Sequence, residues 1–313
     1  MKIITKIFRE EFQLFLLYGV LCTILIVGSV FSPHFRGLEN IVNIFAQAVP
    51  LGLAAFGQTI VLLTAGVDLS VGGVISISTA ICATLIHTKY SSVIIAALGT
   101  MLIGIGFGYI NGISRTKLGM PPFIATLCTM LISQGVALAI LPRPGGYIPS
   151  HLLSFIGFEH GAFRLPVVYF FLILAVLFIL LRYHPIGRYF YAVGGNLEAA
   201  RASGLNVDRI IIKAHVLCSF FAALAGLFLV ARINSGDPNV GAPFILDSII
   251  AALIGGTTFT GGKGGIIGTT AGVLILGSIS NVLNMYSVNP FYQYIVKGLI
   301  FAASIFAYSC KRR

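Results

Sequence analysis

Apolar residues run in long blocks along almost the whole chain, and polar residues gather between the blocks rather than alternating within them. Blocks of roughly 18 residues or more are long enough to cross a bilayer as helices. Apolar blocks fall at 14–31, 41–64, 74–86, 92–113, 122–141, 167–181, 210–230, 245–258, 266–285 and 292–306, which predicts ten spans, those at 74–86, 167–181, 245–258 and 292–306 being shorter than the rest. No small-x-small cleavage site closes the first block, so it reads as a retained span rather than a signal peptide. Pro121-Pro122 opens the fifth helix, and the loop 142–163 is rich in Pro and Gly. The predicted fold is an all-α polytopic membrane protein, a single domain over residues 1–313.

Two glycine-rich interruptions stand out. Gly66-Val67-Asp68-Leu69-Ser70-Val71-Gly72 and Gly256-Thr257-Thr258-Phe259-Thr260-Gly261-Gly262 share the pattern G-x-x-[LF]-[ST]-x-G, each between two apolar segments. Six predicted spans separate them, so a repeat here would run parallel. Broken helices at matching positions of a membrane repeat point to a translocation site; chance recurrence in a chain with 36 glycines is the alternative. Gly104, Gly108 and Gly112 form a tandem G-x-x-x-G face, read as helix packing.

The polar island at 183–213 contains a short predicted helix. Asn196 is its N-cap, Glu198 lies in the first turn, and Gly204 supplies the stop. Two turns of helix are not stable alone in water, so this one is expected to dock on something. An ordinary interhelical loop is the other reading.

Composition narrows the class. The chain is 57% hydrophobic and 9% charged, with a mean hydropathy of +0.98, which excludes an ordinary soluble domain. The net charge of +11 forms no basic stripe with aromatics, so no nucleic-acid partner is expected. A cytoplasmic excess of Lys/Arg explains it instead. With both termini cytoplasmic, Arg36, Lys89, Arg143, Arg164 and Arg232 fall on the outer side and Lys297 within a span. The remaining basic residues lie inside. An odd number of spans would put the two basic termini on opposite faces. The five cysteines (Cys22, Cys82, Cys128, Cys218, Cys310) are odd in number and lack C-x-x-C spacing, so neither a disulfide framework nor a metal site is read.

Catalytic motifs are missing. Gly262-Lys263 fails as a phosphate loop, because Thr257 stands where the first Gly belongs and Gly264 where Ser/Thr should follow. Asp68 and Asp247 are the notable acids, and both read as helix caps. No pairing among Asp68, Asp247 and Lys297 is evident, and the six histidines are assigned no chemistry. Uncharged polar residues inside spans (Asn43, Gln47, Gln58, Thr59, Thr126, Gln134, Asn281, Asn284 and Gln293) could line a polar path, with Asp68 and Ser70 at the first break. Interhelical hydrogen bonding is their alternative use. Phe123 could stack on the ring of a transported solute or simply pack.

The chain resembles the membrane permease subunit of ribose-type (simple-sugar) ABC transporters. The resemblance rests on the block from Gly57 to Gly72, on Pro122 to Leu127, on the island's Tyr191-Ala192-Val193-Gly194-Gly195-Asn196-x-x-Ala199-Ala200-Arg201-x-Ser203-Gly204, and on Leu246 to Ala252 with Gly255-Gly256 and Gly261-Gly262. It implies a bacterial inner-membrane permease that imports a monosaccharide or similar small polyol. ATP would be bound by a separate ATPase subunit, so this chain needs no cofactor. That subunit would dock on the island through Gly194, Gly195, Asn196, Glu198, Ala199, Ala200, Arg201 and Gly204. The resemblance also implies an extracytoplasmic sugar-binding protein and a second permease chain, identical or sister. Departures occur at Cys128 (usually Gly), Gln134 (usually Arg) and Ala65 (usually Gly). A secondary carrier driven by an ion gradient is the runner-up, and it requires paired intramembrane acids and bases.

Overall fold

The computed structural model describes residues 2–32, 34–86, 89–157, 159–160 and 163–310. The run Lys311-Arg312-Arg313 and the side chains at 2–13 and of Cys310 lie outside the described residues.

Among the described residues the chain is helical almost throughout: α1 (Lys2–Phe31), α2 (Leu38–Leu63), α3 (Ser70–Leu85), α4 (Tyr90–Thr116), α5 (Pro122–Ile140), the single turn α6 (Ser154–Gly157), α7 (Leu165–Tyr183), α8 (Pro185–Gly195), α9 (Leu197–Ala202), α10 (Val207–Ile233), α11 (Ala242–Ile254), α12 (Ile266–Met285) and α13 (Pro290–Cys310). A 3-10 turn at Ser150–Leu153 and a two-residue antiparallel pairing of Glu159–His160 with Phe163–Arg164 fold the 142–163 loop into short pieces. Six helices, α2, α4, α5, α7, α10 and α12, are long and apolar enough to cross a membrane; Leu14–Val30, α3 and α11 are shorter apolar helices. The protein is an all-α polytopic membrane protein. Several boundaries differ from the apolar blocks. α1 already begins at Lys2, because helical hydrogen bonding runs on past the apolar window. Thr257 and Thr258, read as the end of a span, instead lie beyond α11.

α2 is the central helix. Its apolar window is 94% buried, against 17% for α7, which turns most of its surface outward. An apolar helix buried on all sides belongs in the middle of a bundle. α10 packs against α2, α3 and α4, and α3 against α5. The tandem glycine face of α4 makes the α4–α10 approach possible. A Cβ on Gly104 would stand 2.7 Å from the Ser219 carbonyl oxygen, one on Gly108 2.5 Å from that of His215, and one on Gly112 2.6 Å from the Ile212 Cα. Small residues let two backbones come together where lipid offers no hydrophobic drive. The helix-packing reading of this face therefore holds.

Candidate functional site

The island folds into two helices, one of which the sequence pattern missed. α8 starts at Pro185, a favoured first position, and is capped by His184, whose Nδ1 accepts the Ile186 N–H at 3.2 Å. α9 begins where Asn196 Oδ1 accepts the Ala199 N–H at 3.0 Å. It ends at Gly204 (φ +80), with the Leu205 N–H bonded to the Ala200 carbonyl and the Gly204 N–H to that of Arg201. That pair of bonds is a Schellman motif, the stop expected of a glycine there. Glu198, Ala199 and Arg201 are exposed. Arg201 also approaches Asp208 at 3.8 Å, and Asp208 binds Lys117 at 3.1 Å.

Ala200 corrects the sequence reading. Expected to face a partner's groove, it is 5% exposed and belongs to the apolar cluster that includes Val207, Ile210 and Ile211. Its small size serves the seat of α9 on its own chain.

Behind the island the two glycine interruptions meet. The Gly262 N–H donates to the Leu63 carbonyl at 3.0 Å, tying the 255–265 segment to the end of α2. A Cβ on Gly194 would overlap that same carbonyl oxygen and stand 2.7 Å from the Gly262 nitrogen. Tyr191 Oη donates to the Gly264 carbonyl at 2.9 Å. Arg115 closes the cluster from α4: Nη2 donates to the carbonyls of Thr64 (2.7 Å) and Ala65 (3.3 Å), and Nη1 to Thr64 Oγ1 (3.2 Å). A cation is well placed there, at the negative end of the α2 dipole.

The left-handed residue of the first break is Ala65 (φ +56), not Gly66. Gly66 instead leaves room for the Arg115 guanidinium, and Gly72 lets the first turn of α3 pack on Gly241. Both glycines act by close approach rather than by a backbone conformation closed to other residues.

Deeper in the bundle lies a polar cluster built on Asp68, itself 0% exposed. Asp68 Oδ1 accepts the Ser70 backbone N–H (3.0 Å) and hydroxyl (2.5 Å), so it takes up a free N–H of the first turn of α3, although the N-cap position itself is Leu69. The same carboxylate accepts from Asn111 Nδ2 (3.3 and 3.2 Å) and shares a 2.9 Å hydrogen bond with His215 Nδ1. Thr129 Oγ1 donates to Asn111 Oδ1 at 2.6 Å. With its amide turned so that both ends are satisfied, Gln58 pairs with the Asp68 backbone, donating to its carbonyl (3.0 Å) and accepting its N–H (3.2 Å). A buried carboxylate is tolerable only when so bonded. His215, Asn111, Thr129 and Arg115 were not singled out in the sequence. The one available signal was a polar residue inside an apolar block, and apolar spacing does not show which of these face each other.

The second acid is also paired. Asp247 was read as a cap, but it sits within α11 and bonds Lys297 of α13 at 2.5 Å, with side chains 12% and 17% exposed. The reading that neither acid has an evident partner is therefore corrected for both.

The remaining pathway candidates do not converge. Asn43 accepts from Arg164 at the opposite end of α2 (3.2 Å), and Gln47 is half-buried on the same helix. Thr59 bonds Thr269 of α12 (2.7 Å), and Thr126 bonds the Pro122 and Val67 carbonyls (2.8 and 3.3 Å). Gln134 donates to the Pro238 carbonyl (2.8 Å), Asn281 to Asn40 (3.0 Å), and Asn284 accepts from Gln293 (2.7 Å). The Thr59–Thr269, Asn281–Asn40 and Asn284–Gln293 pairs are the interhelical bonds named as the alternative use. Phe123 is exposed on α5. Only Gln58, Asp68 and Ser70 share one cluster.

Comparison with known proteins places this architecture. A family model described as branched-chain amino acid transport system / permease component matches residues 40–305. The ribose import permease protein of Bacillus subtilis is 37% identical, across 90% of this chain and 88% of that protein. The D-allose transport system permease protein of Escherichia coli is 32% identical, across 96% and 91%. The galactose/methyl galactoside import permease protein of Escherichia coli is 32% identical, across 92% of each. The family description names an amino-acid system, whereas each of these relatives is named for a sugar. These are transport permeases, not enzymes, and the chain belongs to their family as a ribose-type ABC transporter permease.

Proposed function

We propose that this chain is the membrane permease of a bacterial inner-membrane ABC importer for a monosaccharide such as ribose, allose or galactose. In this reading the chain is a single permease domain of ten spans with both termini cytoplasmic. It pairs with a second permease chain and receives its sugar from an extracytoplasmic binding protein. A separate ATPase subunit docks on the 183–213 island through the exposed face of α9, chiefly Glu198, Ala199 and Arg201.

The observation that carries the coupling role is the glycine junction. α8 touches both breaks, through Gly194 at Leu63 and Gly262 and through Tyr191 at Gly264. The first break runs directly into Asp68 and the buried cluster that joins α3 to α4 and α10. A displacement of α9 that carries α8 with it bears directly on the end of α2, since at Gly194 there is no room even for one methyl group. An energy source drives transport only through contacts that differ between states, and here is a direct route for them.

The test is a purified complex with its ATPase and binding protein. Glu198→Arg together with Arg201→Glu is expected to weaken assembly, or sugar-stimulated ATP hydrolysis, by about tenfold, the worth of roughly 1.4 kcal/mol of lost polar contact. If both quantities are unchanged, α9 is not the coupling helix. Ala200→Trp does not serve as this test, because it would break the island's own packing.

One finding favours the ion-driven carrier: Asp68–His215 and Asp247–Lys297 are the paired acids and bases that reading requires. The two readings separate cleanly. Uptake that survives a protonophore and a sodium ionophore at held ATP supports the permease; uptake that collapses supports the carrier.

A further inference from the structure

The two glycine interruptions share one sequence pattern, yet they face opposite ways. In the first, Leu69 is 7% exposed and Ser70 is buried at the start of α3. In the second, the matching Phe259 is 37% exposed and Thr260 is exposed as well, within a 255–265 segment that forms no helix. Lipid does not account for that exposure. Irregular backbone lies exposed on both sides of Phe259, at Gly256, Thr260 and Gly264. Such backbone is not stable against hydrocarbon, so the loop stands clear of the bilayer core.

Nor is the loop a slack connection. The Gly261 N–H donates to the Thr258 carbonyl (3.1 Å), and the Thr258 N–H to that of Lys263 (3.3 Å). Gly261 and Gly262 make the turn in the left-handed region (φ +76 and +68). With Gly262 fixed on Leu63 and Gly264 on Tyr191, Phe259 is presented from a rigid support. An aromatic held in this way loses little freedom on binding, which is what an interface anchor requires.

The loop also adjoins the face already assigned to docking. A Cβ on Gly262 would stand 2.9 Å from the Gly195 Cα, directly before the Asn196 cap of α9. Phe259 and Leu197, the latter also 37% exposed, lie a few residues from that contact on either side. A few residues of chain span about 10 Å at most, so a partner seated on the first turn of α9 reaches the loop. Lys263 is exposed beside Phe259 and forms no ion pair among the described residues.

We infer that the 256–265 loop is a second docking surface for the ATPase subunit, with Phe259 entering an apolar recess and Lys263 meeting an acidic side chain at its rim. The inference rests on the α9 docking reading and deepens it, adding a contact and its chemistry. The ATPase then bears on the end of α2 by two routes, through α8 at Gly194 and through the loop at Gly262.

Photo-crosslinking in the complete transporter tests it. With p-benzoylphenylalanine at position 259, irradiated membranes should yield a crosslink to the ATPase subunit. A crosslink to the second permease chain alone, or to no protein, overturns the inference. Titration of the purified permease with its ATPase subunit gives the second readout. Phe259→Ser together with Lys263→Glu should weaken binding about tenfold, whereas Phe259→Leu, which keeps the apolar anchor, should retain most of it. The loss from Lys263→Glu alone should shrink as salt is raised. Both side chains are exposed, so the melting temperature of each variant in detergent should stay close to that of the parent chain. Unchanged binding by the double variant overturns the inference. Glu198→Arg with Arg201→Glu, measured alongside, separates the two levels. If only that α9 variant weakens assembly, the loop surface falls and the α9 reading stands; if only the loop variant does, the α9 reading falls and the loop contact stands.

Discussion

Gly194 and Gly195 are neighbours in one motif, and the sequence gives no ground for treating them differently. In the structure a Cβ on Gly194 would drive into the Leu63 carbonyl, whereas a Cβ on Gly195 would meet nothing within 4 Å. Backbone does not yield as a flexible side chain does, so a methyl at 194 must push α8 away from both breaks. Gly194→Ala is expected to abolish uptake while the protein still inserts; Gly195→Ala should transport normally. Equal uptake by the two variants would show that the junction tolerates a gap. Asp68 and His215 make a similar point: one was noticed as a cap, the other dismissed, and their 2.9 Å contact joins them across 147 residues of sequence.

The helices differ in how they are held. α2 is gripped on all sides, while α13 packs on α11 and α12 alone among its larger contacts. Lys297–Asp247 is thus a principal polar tie between α13 and the bundle. Removing one partner of a buried pair strands the other charge, at roughly 3–5 kcal/mol, whereas removing both is much milder. Lys297→Met and Asp247→Leu should each lower the yield and melting temperature of the detergent-solubilised protein, and the double variant should recover most of the loss. A double variant as damaged as the worse single one would show that the pair does not couple α13 to α11.

At the scale of the whole molecule, the island, both breaks, Arg115 and Lys117 gather at one end of the bundle, and Asn43, Arg164 and Arg232 at the other. This sorting is what the proposed topology, with the island cytoplasmic, requires. A cysteine introduced at Asn196, in a chain from which the exposed Cys22 and Cys128 have been removed, should react with an impermeant reagent only after the membrane is opened. Labelling in intact cells would refute the ten-span arrangement.

The sequence by itself determined that this is a polytopic helical membrane protein. That follows because each span satisfies its own backbone hydrogen bonds and needs only local apolarity to declare itself. It also determined α9, whose Asn196 cap and Gly204 stop are local chemistry, and the α4 packing face, whose glycines recur at helical spacing. What it left undecided depends on contacts between distant segments. Only the tertiary structure turned Ala200 inward, made Ala65 rather than Gly66 the left-handed residue, and paired Asp68 with His215 and Asp247 with Lys297. It alone brought the two glycine breaks together against Gly194. In a chain so uniformly apolar, hydrophobic pattern carries little information about which faces meet. The few polar groups and the tight glycine contacts decide that, and they act only once the helices are side by side.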